Sequence, residues 1–205
     1  MTSKILAPLM LGLSFVAGAA FAAPATVGQA APAFSATDAS GKAVSLADLK
    51  GKTVVLEWVN PECPYVRKHY DSANMQATQK AATGKGVVWL SVNSTHPSHY
   101  DYKKPADMLT WTQKQGAAPN ATLMDGEGKI GRAYGARTTP HMYVIDAKGT
   151  LVYAGGIDDK PSSNPADVKA AKNHVNAALA DVLAGKPVAQ AVTRAYGCSV
   201  KYSEG

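Results

Sequence analysis

The chain contains two cysteines, and Cys63 stands where a thiol is expected to be reactive. The apolar, β-branched run over residues 53–59 predicts a strand, and Pro64 begins an apolar pattern with helical spacing. Cys63 therefore lies at the start of a helix, where unpaired amides and the helix dipole favour thiolate over thiol. Three basic residues follow it closely: Arg67, Lys68 and His69. These features predict a nucleophile, although a free cysteine can also be a small buried apolar residue.

Two further residues could serve this thiol. Glu57 lies inside the apolar run, six residues before Cys63. Burial would raise the pKa of its carboxyl and allow it to take up and return the thiol proton; the alternative is that Glu57 faces a polar edge. Cys198 is either a resolving thiol, which attacks an oxidised Cys63, or half of a permanent structural disulfide. The sequence leaves both pairs of alternatives open.

The N-terminus has the pattern of a secretory signal peptide. A basic start and an apolar run over residues 5–16 precede Ala20-Phe21-Ala22, a typical cleavage site. Cleavage after Ala22 would release residues 23–205 as one domain, with no stable membrane anchor. We therefore expect a protein exported to the periplasm, an oxidising compartment.

Composition excludes some classes of function. The 205-residue chain has a formal net charge of +6, but its basic residues are scattered, whereas nucleic-acid binding needs a concentrated basic patch. The five histidines do not have the spacing of a metal site, so neither a metal nor a cofactor is predicted. Copper held by Cys63 with His69 or His141 remains the alternative.

The elements around the thiol alternate between strands and helices. The Cys63 helix is expected to run to about Gly84, followed by a buried strand over residues 87–92 and a right-handed crossover that places the two strands side by side. A hairpin over residues 138–155 adds antiparallel strands, which makes the sheet mixed. The remaining predicted elements are a turn and short helix near residues 40–49, helices at 105–115, 130–134 and 165–183, and a strand at 121–125.

Several segments resemble the redoxins of the alkyl hydroperoxide reductase/thiol-specific antioxidant superfamily. Residues 27–52 are similar to its N-terminal pattern, residues 54–64 to the region around its first cysteine, and Thr138-Thr139-Pro140 to the segment with its cis-proline. Residues 62–70 and the tail Gly-Cys-Ser-Val-Lys-Tyr resemble a peroxiredoxin-like branch with a Cys-Pro-x-Val site. The resemblance implies an α/β, thioredoxin-like fold: a central mixed β-sheet flanked by helices in three layers, α/β/α.

The resemblance also implies an oxidoreductase, with Cys63 as nucleophile, Cys198 as resolving cysteine, Glu57 handling protons, and Thr139 and Pro140 packed beside the thiol. Its substrates would be protein thiols or disulfides, or small peroxides, and an external thiol would donate electrons. The active-site residues of this chain differ from those of two related families. Thioredoxins have a second cysteine where this chain has Val66, and peroxiredoxins have Pro, Thr and Arg where it has Leu56, Asn60 and Pro140. The alternative is a non-catalytic binding module with a structural Cys63–Cys198 disulfide or a copper-holding site.

Overall fold

A computed structural model of the protein describes residues 24–203, and the predicted signal peptide lies outside this range. The strands are β1 (Ser35–Thr37), β2 (Ala43–Ser45), β3 (Val54–Trp58), β4 (Val88–Asn93), β5 (Ala121–Met124), β6 (Thr138–Thr139), β7 (His141–Ile145), β8 (Leu151–Gly155) and β9 (Cys198–Ser199). The α-helices are α1 (Pro64–Asp71), α2 (Asn74–Thr83), α3 (Pro105–Lys114), α4 (Lys129–Tyr134) and α5 (His174–Leu183). Two 3-10 helices span Leu46–Leu49 and Pro165–Ala170.

The central sheet has five strands in the order β5-β4-β3-β7-β8. β3 runs parallel to β4, and β4 to β5, whereas β7 is antiparallel to both β3 and β8. In this register Glu57 of β3 lies opposite Ser91 of β4 on one side and Met142 of β7 on the other. The predicted mixed sheet is confirmed, as is the adjacency of the strands on either side of the Cys63 helix.

Side chains of β3 alternate between two cores, as expected for a strand buried on both faces. Val55 contributes to a core shared with buried residues of α1, α2 and α5. Leu56 and Trp58 contribute to the opposite core, together with α4, while residues of β1, β2 and the first 3-10 helix pack against it. The sheet is therefore covered on both sides, which confirms the three-layer α/β/α arrangement.

The single helix expected from Cys63 to Gly84 is wrong, because it breaks into α1 and α2. Ala73 takes a left-handed conformation with φ of 59° between them. Side chains of α2 then bond back to α1: Asn74 Nδ2 lies 2.9 Å from His69 Nδ1, and Gln76 Nε2 donates to Tyr70 O at 2.9 Å. These side-chain bonds compete with continuation of the helix and are not visible in its apolar periodicity.

The helix expected over residues 165–183 is also shorter than predicted. Its first part is the 3-10 helix, and α5 begins only after Asn173, whose side chain accepts a hydrogen bond from Asn176 N at 2.9 Å. His174 N donates to Ile157 O at 2.9 Å, which ties the start of α5 to the loop after β8. A good N-cap and a tertiary contact therefore decide where the helix starts.

The helices expected at 105–115 and 130–134 and the strand expected at 121–125 agree with α3, α4 and β5. The hairpin expected over residues 138–155 is formed by β7 and β8 only, because Thr138–Thr139 form β6, which pairs with β9. The turn predicted near residue 40 connects β1 to β2, and Ser45 caps the short helix by accepting a bond from Ala47 N at 3.1 Å. Across residues 24–203, no helix combines the length and apolarity that a membrane crossing requires.

Candidate active site

Cys63 occupies the predicted position at the N-cap of α1, with Pro64 as the first helical residue. Its carbonyl accepts the first helical hydrogen bonds, from Val66 N and Arg67 N, both at 3.0 Å. Proline is favourable here because its missing N–H would have had no helical partner. The sulfur is nearly enclosed, since Cys63 is only 2% exposed.

Cys63 and Cys198 form a disulfide across a sequence separation of 135 residues, with their Cα atoms 6.0 Å apart. The structure thus brings together the two cysteines that both interpretations of Cys198 required. Cys198 lies in β9, which pairs antiparallel with β6 so that Cys198 is opposite Thr139. Val200 N extends the pairing by donating to Arg137 O at 3.0 Å.

Thr139 and Pro140 lie beside the disulfide, as the resemblance implied, and the peptide bond between them is cis. Cys63 Sγ is 3.1 Å from Thr139 O, a contact in which the sulfur can donate only when it is reduced. Thr139 is 3% exposed, and within residues 24–203 its hydroxyl has no hydrogen-bond partner. A buried hydroxyl donor therefore belongs to the residue that contacts the sulfur.

Residues 196–202, here called the strap, cross the site and are fixed at both ends. Tyr202 OH donates to Ala136 O at 2.8 Å, and its ring lies beneath Arg132, with 4.7 Å from the guanidinium carbon to the ring centroid. At the other end, the buried Tyr196 donates its hydroxyl hydrogen bond to Asp158. Gly197 packs so closely on Thr139 that a side chain there would overlap the Thr139 carbonyl. Cys198 is thus carried by an ordered segment.

The sequence predicted that Lys68 and His69 add positive charge near Cys63, but both side chains are fully buried and contact Tyr196 at the start of the strap. Lys68 Nζ is 3.2 Å from Asp158 Oδ2, 2.6 Å from Lys160 O and 3.2 Å from Tyr196 OH. The ammonium is therefore neutralised within a buried ion pair.

His69 joins the same cluster through Nε2, 3.2 Å from Tyr196 OH. Burial, together with the neighbouring Lys68 charge, lowers the pKa of His69 to about 4, although the nearby Asp158 carboxylate opposes this shift. His69 is consequently neutral at physiological pH. Sequence reasoning assigned no role to Asp158, and it named Tyr196 only as the first residue of the tail that resembles the peroxiredoxin-like branch. Their contacts with Lys68 span 90 and 128 residues, so no local pattern reveals them.

Glu57 is completely buried, so the alternative that it faces a polar edge is wrong. Four donors surround its carboxyl group: Tyr70 OH at 2.7 Å, Trp89 Nε1 at 2.8 Å, Gln79 Nε2 at 3.1 Å and Ser91 Oγ at 3.2 Å. Desolvation raises the pKa of Glu57, and these hydrogen bonds partly oppose the rise. The cluster joins β3 and β4 to α1 and α2, the helices behind the disulfide.

Two positions bear on peroxide chemistry. Asn60 is 2% exposed, and its amide organises the turn before Cys63: Oδ1 accepts from Glu62 N at 2.8 Å, and Nδ2 is 3.3 Å from Asp101 Oδ2. Arg137 is exposed on the loop before β6. Neither supplies the buried hydroxyl or guanidinium that polarises a peroxide in the relatives this site resembles.

The part of the chain that the structure describes, residues 24–203, contains no group of three or more His, Cys, Asp or Glu side chains arranged to hold a metal ion. His141 packs against Tyr143, with ring centroids 4.5 Å apart, and its Nδ1 lies 3.2 Å from Tyr143 OH. Burial lowers the pKa of His141 to about 4. Neither His69 nor His141 reaches Cys63 as a hydrogen-bond partner among the described residues.

Comparison with known proteins places this site in a family. The model of the AhpC/TSA family matches residues 27–154, which include Cys63, Thr139 and Pro140 but not Cys198. Among curated proteins, the chain is similar to the thiol-disulfide oxidoreductase ResA of Bacillus cereus, with 30% identity over 116 residues. That match covers 51% of this chain and 66% of the relative, slightly less than two thirds of its length.

Solved structures agree on the fold. An uncharacterised conserved protein of Geobacillus kaustophilus is similar at a TM-score of 0.75 and 26% identity, over 88% of this chain and 94% of that one. A putative thiol:disulfide interchange protein DsbE of Chlorobium tepidum is similar at a TM-score of 0.52 and 24% identity, over 63% and 84% respectively. The fold is thioredoxin-like, as the resemblance implied.

Proposed function

Since the chain belongs to the AhpC/TSA family, we propose that it is an exported thiol oxidoreductase whose Cys63–Cys198 disulfide forms and breaks in exchange with other thiols. The observation that carries this proposal is the position of the disulfide. It joins Cys63, at the N-cap of α1, to Cys198 in β9, which pairs with Thr139 next to Pro140. The Cys63 sulfur therefore attacks or leaves as a thiolate at a helix N-terminus. A bond with such a leaving group breaks faster than one between ordinary thiols.

The strap provides the second cysteine that the Cys63 turn lacks. Reduced Cys63 would attack a substrate disulfide and form a mixed disulfide. The Cys198 thiolate would then attack Cys63 Sγ, which releases the substrate as a thiol and restores the internal disulfide. Two external thiols, or one dithiol, must afterwards return two electrons and become a disulfide. Because both ends of the strap are fixed, Cys198 stays near Cys63 after reduction and performs the resolving step within the molecule.

The polar groups near the disulfide have distinct roles in this proposal. Glu57, whose pKa is raised by burial, lies behind α1 and accepts a hydrogen bond from Tyr70 of that helix, and in this proposal it takes up and returns the thiol proton. Thr139 presents its backbone carbonyl to the thiol of Cys63. Pro140 holds the chain at the point where β6 meets the strap. The proposal favours exchange with protein thiols over peroxide reduction, because Asn60 organises the turn before Cys63 and Arg137 is exposed on the loop before β6.

The deciding experiment is the reduction potential of the purified mature protein, measured by thiol trapping and mass spectrometry across a glutathione series. A potential of roughly −120 to −270 mV is expected for an exchanging pair. A potential below about −300 mV would identify a structural disulfide and favour the non-catalytic binding module instead. Consumption of hydrogen peroxide with dithiothreitol as donor tests the peroxide branch, and we expect it to be slow.

Export is tested separately. We propose that residues 1–22 direct secretion and are removed, which leaves Ala23 as the first residue of the mature protein. Expression in a Gram-negative host followed by periplasmic extraction and N-terminal sequencing should find this terminus. Recovery of an intact Met1 from the cytoplasm would contradict the proposal.

A further inference from the structure

Two cavities adjoin one another where the chain enters the strap. The first, of about 440 Å³, lies between the start of α1 and the strap, and its lining includes Tyr65 and Arg194. The second, also of about 440 Å³, extends toward Pro24 and is lined in part by Arg137. Thr138 and Ala195 line both cavities, so the two lie side by side. We call the pair of cavities the strap groove.

The strap groove lies next to the disulfide. Gly197, which lines the first cavity, directly precedes Cys198. Tyr65 lines the same cavity from α1, two positions after Cys63. Thr138, which lines both cavities, is paired in β6 with the residue that follows Cys198. A segment bound in this groove therefore contacts the elements that carry both sulfurs.

The formally charged side chains that line the strap groove are two arginines, Arg137 and Arg194. Both are exposed, and within residues 24–203 neither forms an ion pair. Other cations near the Cys63 turn are neutralised, since Arg67 and Lys103 lie 2.5 and 2.6 Å from the Glu62 carboxylate. The groove thus carries two positive charges that the described part of the chain leaves without a partner.

The neighbouring carboxylates do not supply that partner. Asp158 is buried with Lys68. Asp159 accepts a hydrogen bond from Lys172 N at 2.9 Å and is followed in the chain by Lys160. Neither carboxylate lines the groove, so both guanidinium charges face solvent.

The rest of the groove offers apolar surface. Val192 lines the second cavity and is 69% exposed, although its neighbours in the chain are fixed on β8. Ala154 N donates to Ala191 O at 3.0 Å, and Thr193 N donates to Ala154 O at 3.2 Å. An ordered segment therefore holds an apolar side chain in solvent beside an unpaired cation, a combination that marks interaction surfaces.

We infer that the strap groove docks an acidic segment of the partner protein, with carboxylates that pair with Arg137 and Arg194. This inference rests on the proposed function and deepens it, because it names the chemistry by which the protein selects its exchange partner. Guanidinium groups suit this task, since their planar fork binds a carboxylate through two parallel hydrogen bonds. A small acid would meet the single arginine of one cavity, whereas a peptide segment spans both.

Exchange with matched peptide thiols tests the inference on the oxidised mature protein. The probes are Glu-Glu-Gly-Cys-Gly-Glu-Glu and Gln-Gln-Gly-Cys-Gly-Gln-Gln. In the measured step the peptide thiolate bonds to one sulfur of the disulfide and the other sulfur leaves as a thiolate. Acid quenching and mass spectrometry give the rate of adduct formation, corrected for the thiolate fraction of each peptide.

The quantity compared is the ratio of the acidic to the neutral peptide rate. Removing both charges with Arg137→Gln and Arg194→Gln should lower this ratio about fivefold or more and leave the rate of the neutral peptide unchanged. Raising the ionic strength from about 0.01 M to about 1 M shortens the Debye length from about 30 Å to about 3 Å and should lower the wild-type ratio in the same way.

Lys80→Gln combined with Lys85→Gln is the matched control, because it removes the same charge elsewhere. Both lysines are exposed, at the end of α2 and in the turn before β4. Since β3 and β4 are parallel, this turn lies at the opposite edge of the sheet from Cys63. The control should keep the wild-type ratio.

Each outcome has a distinct meaning. Equal ratios in the wild type and the double arginine variant would overturn the inference and leave the proposed function standing. An equal loss in the lysine control would also overturn it, because the preference would then come from net charge alone. If neither peptide formed an adduct, the disulfide would not exchange, and the proposed function would fall together with the inference.

Discussion

Replacing Lys68 by Met should strongly destabilise the protein, because it removes the cation from a buried cluster. Lys68 and Asp158 have side-chain exposures of 0% and 1%, and the ammonium contacts Asp158, Lys160 O and Tyr196 OH. Methionine keeps an unbranched apolar stem but lacks the terminal ammonium, so it leaves the Asp158 carboxylate without its countercharge. Breaking a buried ion pair by removing one partner costs about 3–5 kcal/mol.

Urea unfolding of the oxidised protein, followed by circular dichroism, measures this loss. Thermal unfolding of the same samples should show a melting temperature lower by roughly 10 °C for a chain of this size. Lys85→Met is the matched control: Lys85 is exposed, and such a substitution changes the free energy of unfolding by about 0.5 kcal/mol or less.

A double-mutant cycle separates the ion pair from the loss of packing. Asp158→Asn should be destabilising alone, whereas Lys68→Met combined with Asp158→Asn should cost less than the sum of the single changes, with a coupling of about 2 kcal/mol. Additive effects, or a cost of less than about 1 kcal/mol for Lys68→Met, would refute the assignment of this cluster as a buried anchor of the strap.

Three further predictions follow from the geometry. Ala73→Gly should stabilise the protein by about 1 kcal/mol in urea unfolding because φ is 59° at this residue, whereas Ala77→Gly, at an exposed position in α2, should destabilise it by a similar amount. Because folding lowers the pKa of His69 from 6.5 to about 4, the unfolded chain binds the additional proton between these values. His69 should therefore contribute a loss of about 3 kcal/mol in stability as pH drops through this window, in addition to the loss from the similarly buried His141. A His69→Gln variant that kept the full pH dependence would contradict the burial argument. Tyr196→Phe combined with Tyr202→Phe should raise the reduction potential by roughly 30 mV, a tenfold loss of effective cysteine concentration in a glutathione titration; an unshifted potential would mean that the strap stays docked without its anchors.

The strand, turn and helix around Cys63 could be predicted from the sequence because their signals are local. β-branched residues begin β3, and Pro64 fits the first position of α1. Cys63 lies between these two elements, so its position at the helix start does not depend on distant contacts. The mixed sheet and its three layers also followed from the order of local patterns, since short connections restrict which strands can be neighbours.

Helix boundaries were harder to predict because distant or side-chain contacts decide them. The break at Ala73 depends on Asn74 and Gln76 bonding back to α1, and the start of α5 depends on its contact with Ile157. Apolar periodicity reports which face of a helix is buried, and it contains no information about these competing hydrogen bonds.

For the site, the sequence by itself placed Cys63 at the start of a helix and Glu57 in the preceding strand, and the family resemblance indicated the cis-proline segment. Only the tertiary structure decided that Cys198 reaches Cys63 across 135 residues, that the strap covers the sulfur, and that Lys68 is neutralised by Asp158. The physical reason is that such contacts arise where the chain path brings together surfaces far apart in sequence. A charge pattern read along one helix shows which groups are present, but the partner that buries and neutralises them comes from elsewhere in the fold.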